Sequence, residues 1–416
     1  MMAAPLNDRM KLEITTQTVL EPPPAPAADP PQGGKLRVLL LMSDTGGGHR
    51  ACSNAIAEAL VRRFGPDGVE PHILDFFAVG RTTIHDRLTR LYGTAIRVAP
   101  WIYGFLWKLM NSKFAYGFLV RSAARKMVPR TVELLRELDP HVVVSVHPLV
   151  NALVVRAFEP LGARLPLAIM ISDLVTIHVS WVDDQADAIF VATDAARRNV
   201  LEWGSRPDRV AVTGLPTSAA FGGGKRDAAE IRREMGLQPD RFTVLVMGGG
   251  EGVGALAEIC AELNAAGFEG QIIVVCGRNE AVRRKLAARQ WRFPAAILGF
   301  VDNMPDLMRA ADIVAGKGGP QSIAETLASG RPMIVTGVLP GQERGNDTFV
   351  ADAGAGFAEH RPREIARLLG RLQADPELVA QMRAKAAQAL VSGAADRVAA
   401  RIEELARTRS RAGTAP

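Results

Sequence analysis

"KLRVLLLMSDTGGGHRACSNAIAEALVRR" (residues 35–63) is the stretch on which the fold reading turns. An apolar run ends at Ser43 and Asp44, three glycines follow (Gly46, Gly47, Gly48), and apolar residues then recur at helical spacing. An apolar run without alternation is a strand covered on both faces, as in a parallel sheet. The glycines let the strand turn directly into a helix. They also bare backbone N–H groups at its start, where an anion or a developing negative charge is favoured. Gly46, Gly48 and Ala51 also fit GxGxxA, a dinucleotide pattern that is weak alone. His49 falls in the first helical turn, whose positive end opposes protonation and keeps the imidazole able to accept a proton at pH 7.

The alternation continues outward. "EPHILDFF", "HVVVSVH", "LPLAIMIS", "ADAIFVAT" and "DRVAVTG" extend the strand series, with helical segments between most of them. The design restarts at "FTVLVMGGGEGVGALAEICAEL" (242–263) and runs on through "GQIIVVCG", "PAAILGFV", "ADIVAGK" and "PMIVTG". The expected fold is therefore α/β with two Rossmann-like domains, their parallel sheets facing across a cleft that takes the ligand at the strands' carboxyl ends. Expected divisions are a disordered Pro/Ala-rich arm (1–34), a first domain (35–216), a linker (217–237), a second domain (238–400) and a tail (401–416).

The second half supplies three more loops. Gly249, Gly250 and Glu251 belong to "MGGGEG", which can approach a phosphate or sugar closely. It does not fit GxGxxG, and it lacks the GK[ST] ending of a P-loop, which argues against ATP hydrolysis. "GKGGPQSIAETLASGRP" (316–332) offers a helix N-terminus at Gly319 and Pro320, with Lys317 alongside and Glu325 one turn in. Ser322 and Glu325 also fit a capping box, a purely structural role. "PGQERGN" (340–346) crowds Gln342, Glu343 and Asn346 into one loop, a mixture suited to sugar hydroxyls.

Composition excludes several classes. Three separated cysteines, Cys52, Cys260 and Cys276, argue against a disulfide framework and a zinc site. No run approaches a membrane span, and the N-terminal arm lacks the apolar core of a signal peptide. The net charge of +6 is concentrated: between Arg81 and Arg130 stand ten Lys/Arg and one acid, with eight aromatics from Tyr92 to Phe118. Trp101, Tyr103, Phe105, Trp107, Lys108 and Lys113 suit a membrane interface, and cations such as Arg97, Arg121, Arg125 and Lys126 would meet anionic headgroups. A buried helical flap is the alternative. The sequence pI near 9.5 permits nucleic acid, but no recognised binding motif accompanies it, so no nucleic-acid partner is expected. HExxH and GxSxG are absent, as is DxD, the usual acidic pair of metal-dependent sugar transferases.

Taken in order, "DTGGGHR", "SVHP", "SDLVTIHVSW", "MGGGEG", "GKGGPQSIAE" and "PGQERGN" resemble the blocks of the monogalactosyldiacylglycerol synthase branch of glycosyltransferase family 28, over about residues 36–400. The resemblance implies a GT-B fold and inverting transfer of a hexose, galactose or glucose, from a UDP-sugar to diacylglycerol, with no metal and no further cofactor. It implies His49 as base and an acceptor site near Gly47, Gly48, His147 and Trp181. Glu325 would meet the ribose, Phe300 and Val301 the uracil, and Gln342, Glu343 and Asn346 the hexose. The segment 84–128 would dock on anionic lipids, placing a cytoplasmic enzyme peripherally on the inner face of the cell membrane. Departures from the pattern are "GLPTSAAF" without a basic residue, Val179 where proline is frequent, and Gln321 where glycine is common. Alternatives on this fold are a UDP-sugar epimerase and a peptidoglycan-precursor transferase. An NAD oxidoreductase and a non-catalytic membrane module fit less of the pattern.

Overall fold

The computed structural model describes residues 34–44, 47–78, 100–224 and 226–412. Its first half runs β1 (Leu36–Met42), α1 (Gly48–Phe64), β2 (Val69–Asp75), α2 (Pro100–Met110), α3 (Lys113–Leu138), β3 (Val142–Ser145), α4 (Asn151–Leu161), β4 (Leu167–Met170), β5 (Ala188–Val191), α5 (Asp194–Glu202) and β6 (Val210–Val212). The second half runs α6 (Ala219–Gly223), α7 (Ala228–Glu234), β7 (Thr243–Met247), α8 (Leu256–Ala265), β8 (Gln271–Val275), α9 (Glu280–Ala287), β9 (Ala295–Leu298), α10 (Met304–Ala310), β10 (Ile313–Lys317), α11 (Pro320–Ala328), β11 (Met333–Gly337), α12 (Asn346–Asp352), β12 (Gly356–Ala358), α13 (Pro362–Gln373), α14 (Pro376–Ala386) and α15 (Ala394–Ala412).

Both sheets are six-stranded and parallel, ordered β2-β1-β3-β4-β5-β6 and β12-β11-β10-β7-β8-β9. This is the GT-B arrangement. Strand order reverses between β1 and β3 in one sheet and between β7 and β10 in the other. At such switch points the connections leave to opposite faces and open a crevice at the strands' carboxyl ends. The first loop and "SVHP" leave one crevice; "MGGGEG" and "GKGGP" leave the other. The topology thus gathers four of the quoted blocks into one cleft. A continuous buried core extends from Leu40, Ile56 and Phe190 through Ile323, Leu327 and Val335 to Val398 and Ile402, so it crosses from one half to the other.

Three details differ from expectation. The stretch 217–237 is largely helical, because its polar residues act as caps: the Ser218 hydroxyl accepts from the Ala220 amide and Asp227 from the Ala229 amide. Residues 401–412 are not a loose tail but the end of α15, whose Val398, Ala399, Ile402, Leu405 and Ala406 are buried. That helix lies against α1 of the first half, with ion pairs Arg62–Asp396 (2.8 Å) and Arg63–Glu403 (2.6 Å). Strand β12 was not read from sequence; it is three residues long at a sheet edge and barely apolar. Most of the expected N-terminal arm (residues 1–33) lies outside the described residues.

The polar tie of the second half sits at the opposite end of its sheet from the cleft. Asp312, just before β10, accepts from Arg232 (3.0 Å), Arg383 (2.6 Å) and the Thr243 amide (2.8 Å). Burial, with the Arg383 charge next in weight, pushes the neighbouring Arg331 guanidinium down to about 10. Asp312→Asn keeps the shape but leaves these cations without their anion. It is expected to cost about 3 kcal/mol of unfolding free energy in chemical denaturation.

Candidate active site

Gly47 is the N-cap of α1 with φ +81°, in the left-handed region that glycine adopts without strain. It turns the chain so that His49 enters the first helical turn facing the end of β3. Gly46 of the same loop lies outside the described residues. The His49 Nδ1 is 3.2 Å from the Ser172 hydroxyl. Its ring meets His147 edge-on at 4.9 Å between centroids and lies 6.2 Å from Trp181. Burial pushes the His49 imidazole down to about 4, against a hydrogen bond to the Val146 backbone. The ring is therefore neutral at pH 7, as expected, with burial as the leading cause where the helix end had been invoked. His147 is buried, and the Leu149 amide donates to its Nδ1 (3.3 Å), which puts the ring proton on Nε2. Burial first, then His49, hold it well below the usual imidazole range.

Across the cleft, α11 begins at Gly319 without a side-chain cap. The two helix starts come together: a β carbon at Gly48 would stand 3.5 Å from that of Gln321. Two positive helix ends thus address one space. The Gln321 amide nitrogen donates both to Glu325 (3.1 Å) and to the Pro216 carbonyl (3.2 Å), while its Oε1 is buried without a partner among the described residues. Burial raises the Glu325 carboxyl to about 7, with the Gln321 bond opposing. The capping-box alternative does not form, since Gly319 and not Ser322 precedes the helix.

The fourth loop is stitched to its surroundings. Glu343 is buried, pairs with Lys317 (2.6 Å) and accepts from the Leu339 amide (2.6 Å). Asn346 donates to the Gly318 carbonyl (2.9 Å), and its Oδ1 is buried without a partner among the described residues. Gln342 donates to Asp173 of the first half (3.1 Å), and the Trp181 indole N–H donates to the other oxygen of the same carboxylate (2.6 Å). Trp181 is 1% exposed, so it forms the wall behind His49 and Asp173 and offers no open surface to an acceptor. Burial raises Asp173 to about 6 despite these two bonds.

Ser172 and Asp173 were not singled out from sequence. The available signal was an acid three residues past the end of an all-apolar strand, at the carboxyl end where α/β sheets place ligands. Arg278 was missed as well. It follows β8, pairs with Glu251 (3.0 Å), and lies 4.7 Å over the ring of Phe300, which is 60% exposed. Its amide donates to the Gly250 carbonyl (2.9 Å), next to Gly249 at φ +68°. Val301 packs against the core. The Arg50 contact first, and the Arg278 charge least, hold the Asp44 carboxyl below its usual range, so Arg278 beside the second glycine loop is within electrostatic reach of the first. His49, His147, Ser172, Asp173, Gln342, Glu343, Lys317 and Asn346 therefore form one linked group, and Glu251, Arg278 and Phe300 form a more open one beside it. Among the described residues no three His, Cys, Asp or Glu converge as metal ligands.

Beside the cleft, α2 and the start of α3 expose Trp101 (71%), Phe105, Leu109, Phe114 (82%), Phe118 and Leu119. Lys108, Lys113, Arg121, Arg125 and Lys126 stand on the same two helices. The buried-flap alternative fails for these residues. Tyr116 is turned inward, its hydroxyl donating to the Pro148 carbonyl (3.3 Å). Residues 84–99 of this segment, Arg97 included, lie outside the described residues.

Comparison with known proteins places the family and the fold. The family described as monogalactosyldiacylglycerol (MGDG) synthase matches residues 49–217, and the glycosyltransferase family 28 C-terminal domain matches residues 243–398. A probable monogalactosyldiacylglycerol synthase 2, chloroplastic, of Oryza sativa subsp. indica is 34% identical over 348 residues, spanning 80% of this chain and 73% of that protein. Monogalactosyldiacylglycerol synthase 1, chloroplastic, of Arabidopsis thaliana is 31% identical over 350 residues, spanning 80% and 64%. Two solved structures share the fold. MurG of Acinetobacter baumannii has a TM-score of 0.56 at 17% identity, covering 88% of this chain and 99% of that one. Anabaena HepE in complex with UDP-glucose has a TM-score of 0.53 at 18% identity, covering 90% and 99%. The curated relatives are named as chloroplast proteins, which overturns the expected placement of a cytoplasmic enzyme on the inner face of a cell membrane.

The His49 environment has a direct readout. In an NMR titration its ring signals should move with a midpoint near pH 4. A midpoint near the ordinary 6.5 would mean that the ring is solvated.

Proposed function

The chain belongs to the monogalactosyldiacylglycerol synthase family, and from that premise we propose that it moves galactose or glucose from a UDP-sugar to the sn-3 hydroxyl of 1,2-diacylglycerol, with inversion. The observation that carries this reading is a neutral histidine at one helix start, facing a second helix start across the cleft. In the proposed reaction the diacylglycerol hydroxyl approaches over Gly47, where nothing stands within 4 Å of a β carbon's place, beside Gly48. A His49 ring nitrogen takes its proton as the oxygen bonds to the hexose C1. The C1–O bond to UDP breaks on the opposite face, and the α11 N-terminus stabilises the departing diphosphate through its dipole and N–H groups. The anionic diphosphate also favours the protonated ring, so His49 becomes a stronger base when the donor is present.

In this reading the hexose lies against Gln342, Glu343, Lys317 and Asn346, whose orphaned buried Oδ1 would accept from a sugar hydroxyl. Glu325 receives the ribose hydroxyls, and Phe300 with Arg278 and Val301 borders the uracil. Gly249, Gly250 and Glu251 close on the diphosphate side. Among the described residues no three His, Cys, Asp or Glu converge as metal ligands, and in this reading the dipole and the amides stabilise the diphosphate. Diacylglycerol resides in a bilayer, and the exposed aromatics of α2 and α3 with their cations form the surface that meets it. No described helix is long and apolar enough to cross a membrane.

Incubating the protein with diacylglycerol and each of UDP-galactose and UDP-glucose, then analysing the lipids, tests the activity. His49→Ala is expected to lower turnover about 10²- to 10⁴-fold with UDP affinity nearly unchanged. Lipid product at wild-type rate from that variant removes His49 from the mechanism.

Glu325 gives a pH test. Its raised carboxyl, near 7, is charged above that pH and protonated below it. UDP affinity should therefore weaken as pH falls through about 7. Glu325→Gln should bind UDP about tenfold or more weakly at pH 8 and lose that pH dependence, since charged hydrogen bonds contribute roughly 1.5–3 kcal/mol. Calorimetric titration at several pH values decides it.

A further inference from the structure

Helix α2 has two working faces. Trp101, Phe105 and Leu109, four residues apart, are exposed along one. Gly104 and Trp107 lie on the other, Asn111 follows the helix's last residue, and each meets a different neighbouring segment. A β carbon at Gly104 would stand 2.8 Å from that of Pro340, and one at Gly341 would stand 3.0 Å from the Trp107 indole. Gly341 also has φ +90°, so that position is closed to other residues twice over. The helix is held to its own half as well. The Trp107 ring meets His178 edge-on at 5.2 Å, and Asn111 Oδ1 accepts from the Val179 amide at 2.8 Å. The loop under Trp107 continues directly into Gln342, which donates to Asp173, and into Glu343, which pairs with Lys317.

We propose that α2 is a relay between the bilayer and the hexose loop, with Trp107 as its positioning residue. The inference rests on the functional reading above, which puts lipid on one face of α2 and the hexose against loop 340–346. Docking fixes the exposed face of a single helix. The opposite face then presses Trp107 and Gly104 onto Pro340 and Gly341 and selects the loop conformation in which Gln342 and Glu343 face the sugar. A loop already ordered before the donor arrives loses less freedom on binding, so affinity rises for the part of the donor that the loop touches. UDP, which lacks the hexose, gains nothing. The fold thereby favours donor capture where acceptor is present.

The test is calorimetric titration of UDP, UDP-galactose and UDP-glucose, with and without vesicles of phosphatidylcholine and phosphatidylglycerol that contain no diacylglycerol. Wild type should bind the accepted UDP-hexose about tenfold more tightly when docked, with UDP unchanged. Trp107→Ala should still float with the vesicles but lose the gain, and Trp107→Phe should recover part of it. Gly104→Ala is the second variant, because alanine strengthens the helix while its β carbon wedges α2 off Pro340. It too should float without the gain. Lys108→Glu/Lys113→Glu, which weakens docking, should lose both together. Retention of the gain in Trp107→Ala and Gly104→Ala overturns the relay. A wild type that floats and glycosylates diacylglycerol without any gain removes the relay alone. One that does neither removes the functional reading with it.

Discussion

One carboxylate joins the two halves at the point where chemistry is proposed. Asp173 takes a hydrogen bond from Trp181 in its own half and from Gln342 in the other. Around it, the Thr176 hydroxyl donates to the Arg344 carbonyl (2.7 Å), and Gly345 lies against Val175, where a β carbon would come within 2.9 Å. Removing the carboxylate would leave the buried Trp181 indole N–H without its acceptor, at a cost of about 1–3 kcal/mol. The wall behind His49 and loop 340–346 meet at this acceptor.

Closure then sets the electrostatics. The same burial that lowers His49 to about 4 raises Asp173 to about 6 and Glu325 to about 7, because a dry environment penalises whichever form is charged. None of these shifts belongs to a residue alone. His49 is buried against His147, Ser172 and Trp181 of its own half, while Asp173 also meets Gln342 of the other. Such a cleft is suited to an anion that arrives from solvent and a proton that must move without water.

The surface beside the cleft follows a different logic. Exposed Trp101 and Phe114 sit next to lysines on helices whose other faces are packed. Apolar anchoring and cationic attraction are separable forces, the first insensitive to salt and the second screened over about 8–10 Å. The packed face of α2 ties that surface to loop 340–346 through Gly104 on Pro340 and Trp107 on Gly341, so one short helix belongs to both environments.

Much of this was legible in the chain. Apolar runs broken by glycine loops specify buried parallel strands and tight βα turns, since each signal is local; among the described residues eleven of twelve strands could be marked this way, the short edge strand β12 being the exception. His49, Glu325, Gln342, Glu343 and Asn346 were also marked, because glycine loops and helix starts advertise where ligands can come close. What the sequence could not decide is who touches whom. The polar stretch around Ser218 and Asp227 resembles a linker until its residues are seen capping helices, and Tyr116 resembles an interfacial anchor until its hydroxyl is found bonded inward. Asp173, Ser172 and Arg278 acquire meaning only when residues more than a hundred positions apart meet, as His49 and Ser172 do. Periodicity and glycine placement are properties of neighbours along the chain, so the sequence by itself determined the fold class and the loops that could bind. Burial, and with it the protonation state of His49 and the two faces of α2, depends on which residues distant in the chain pack together and exclude water, and only the tertiary structure could decide that.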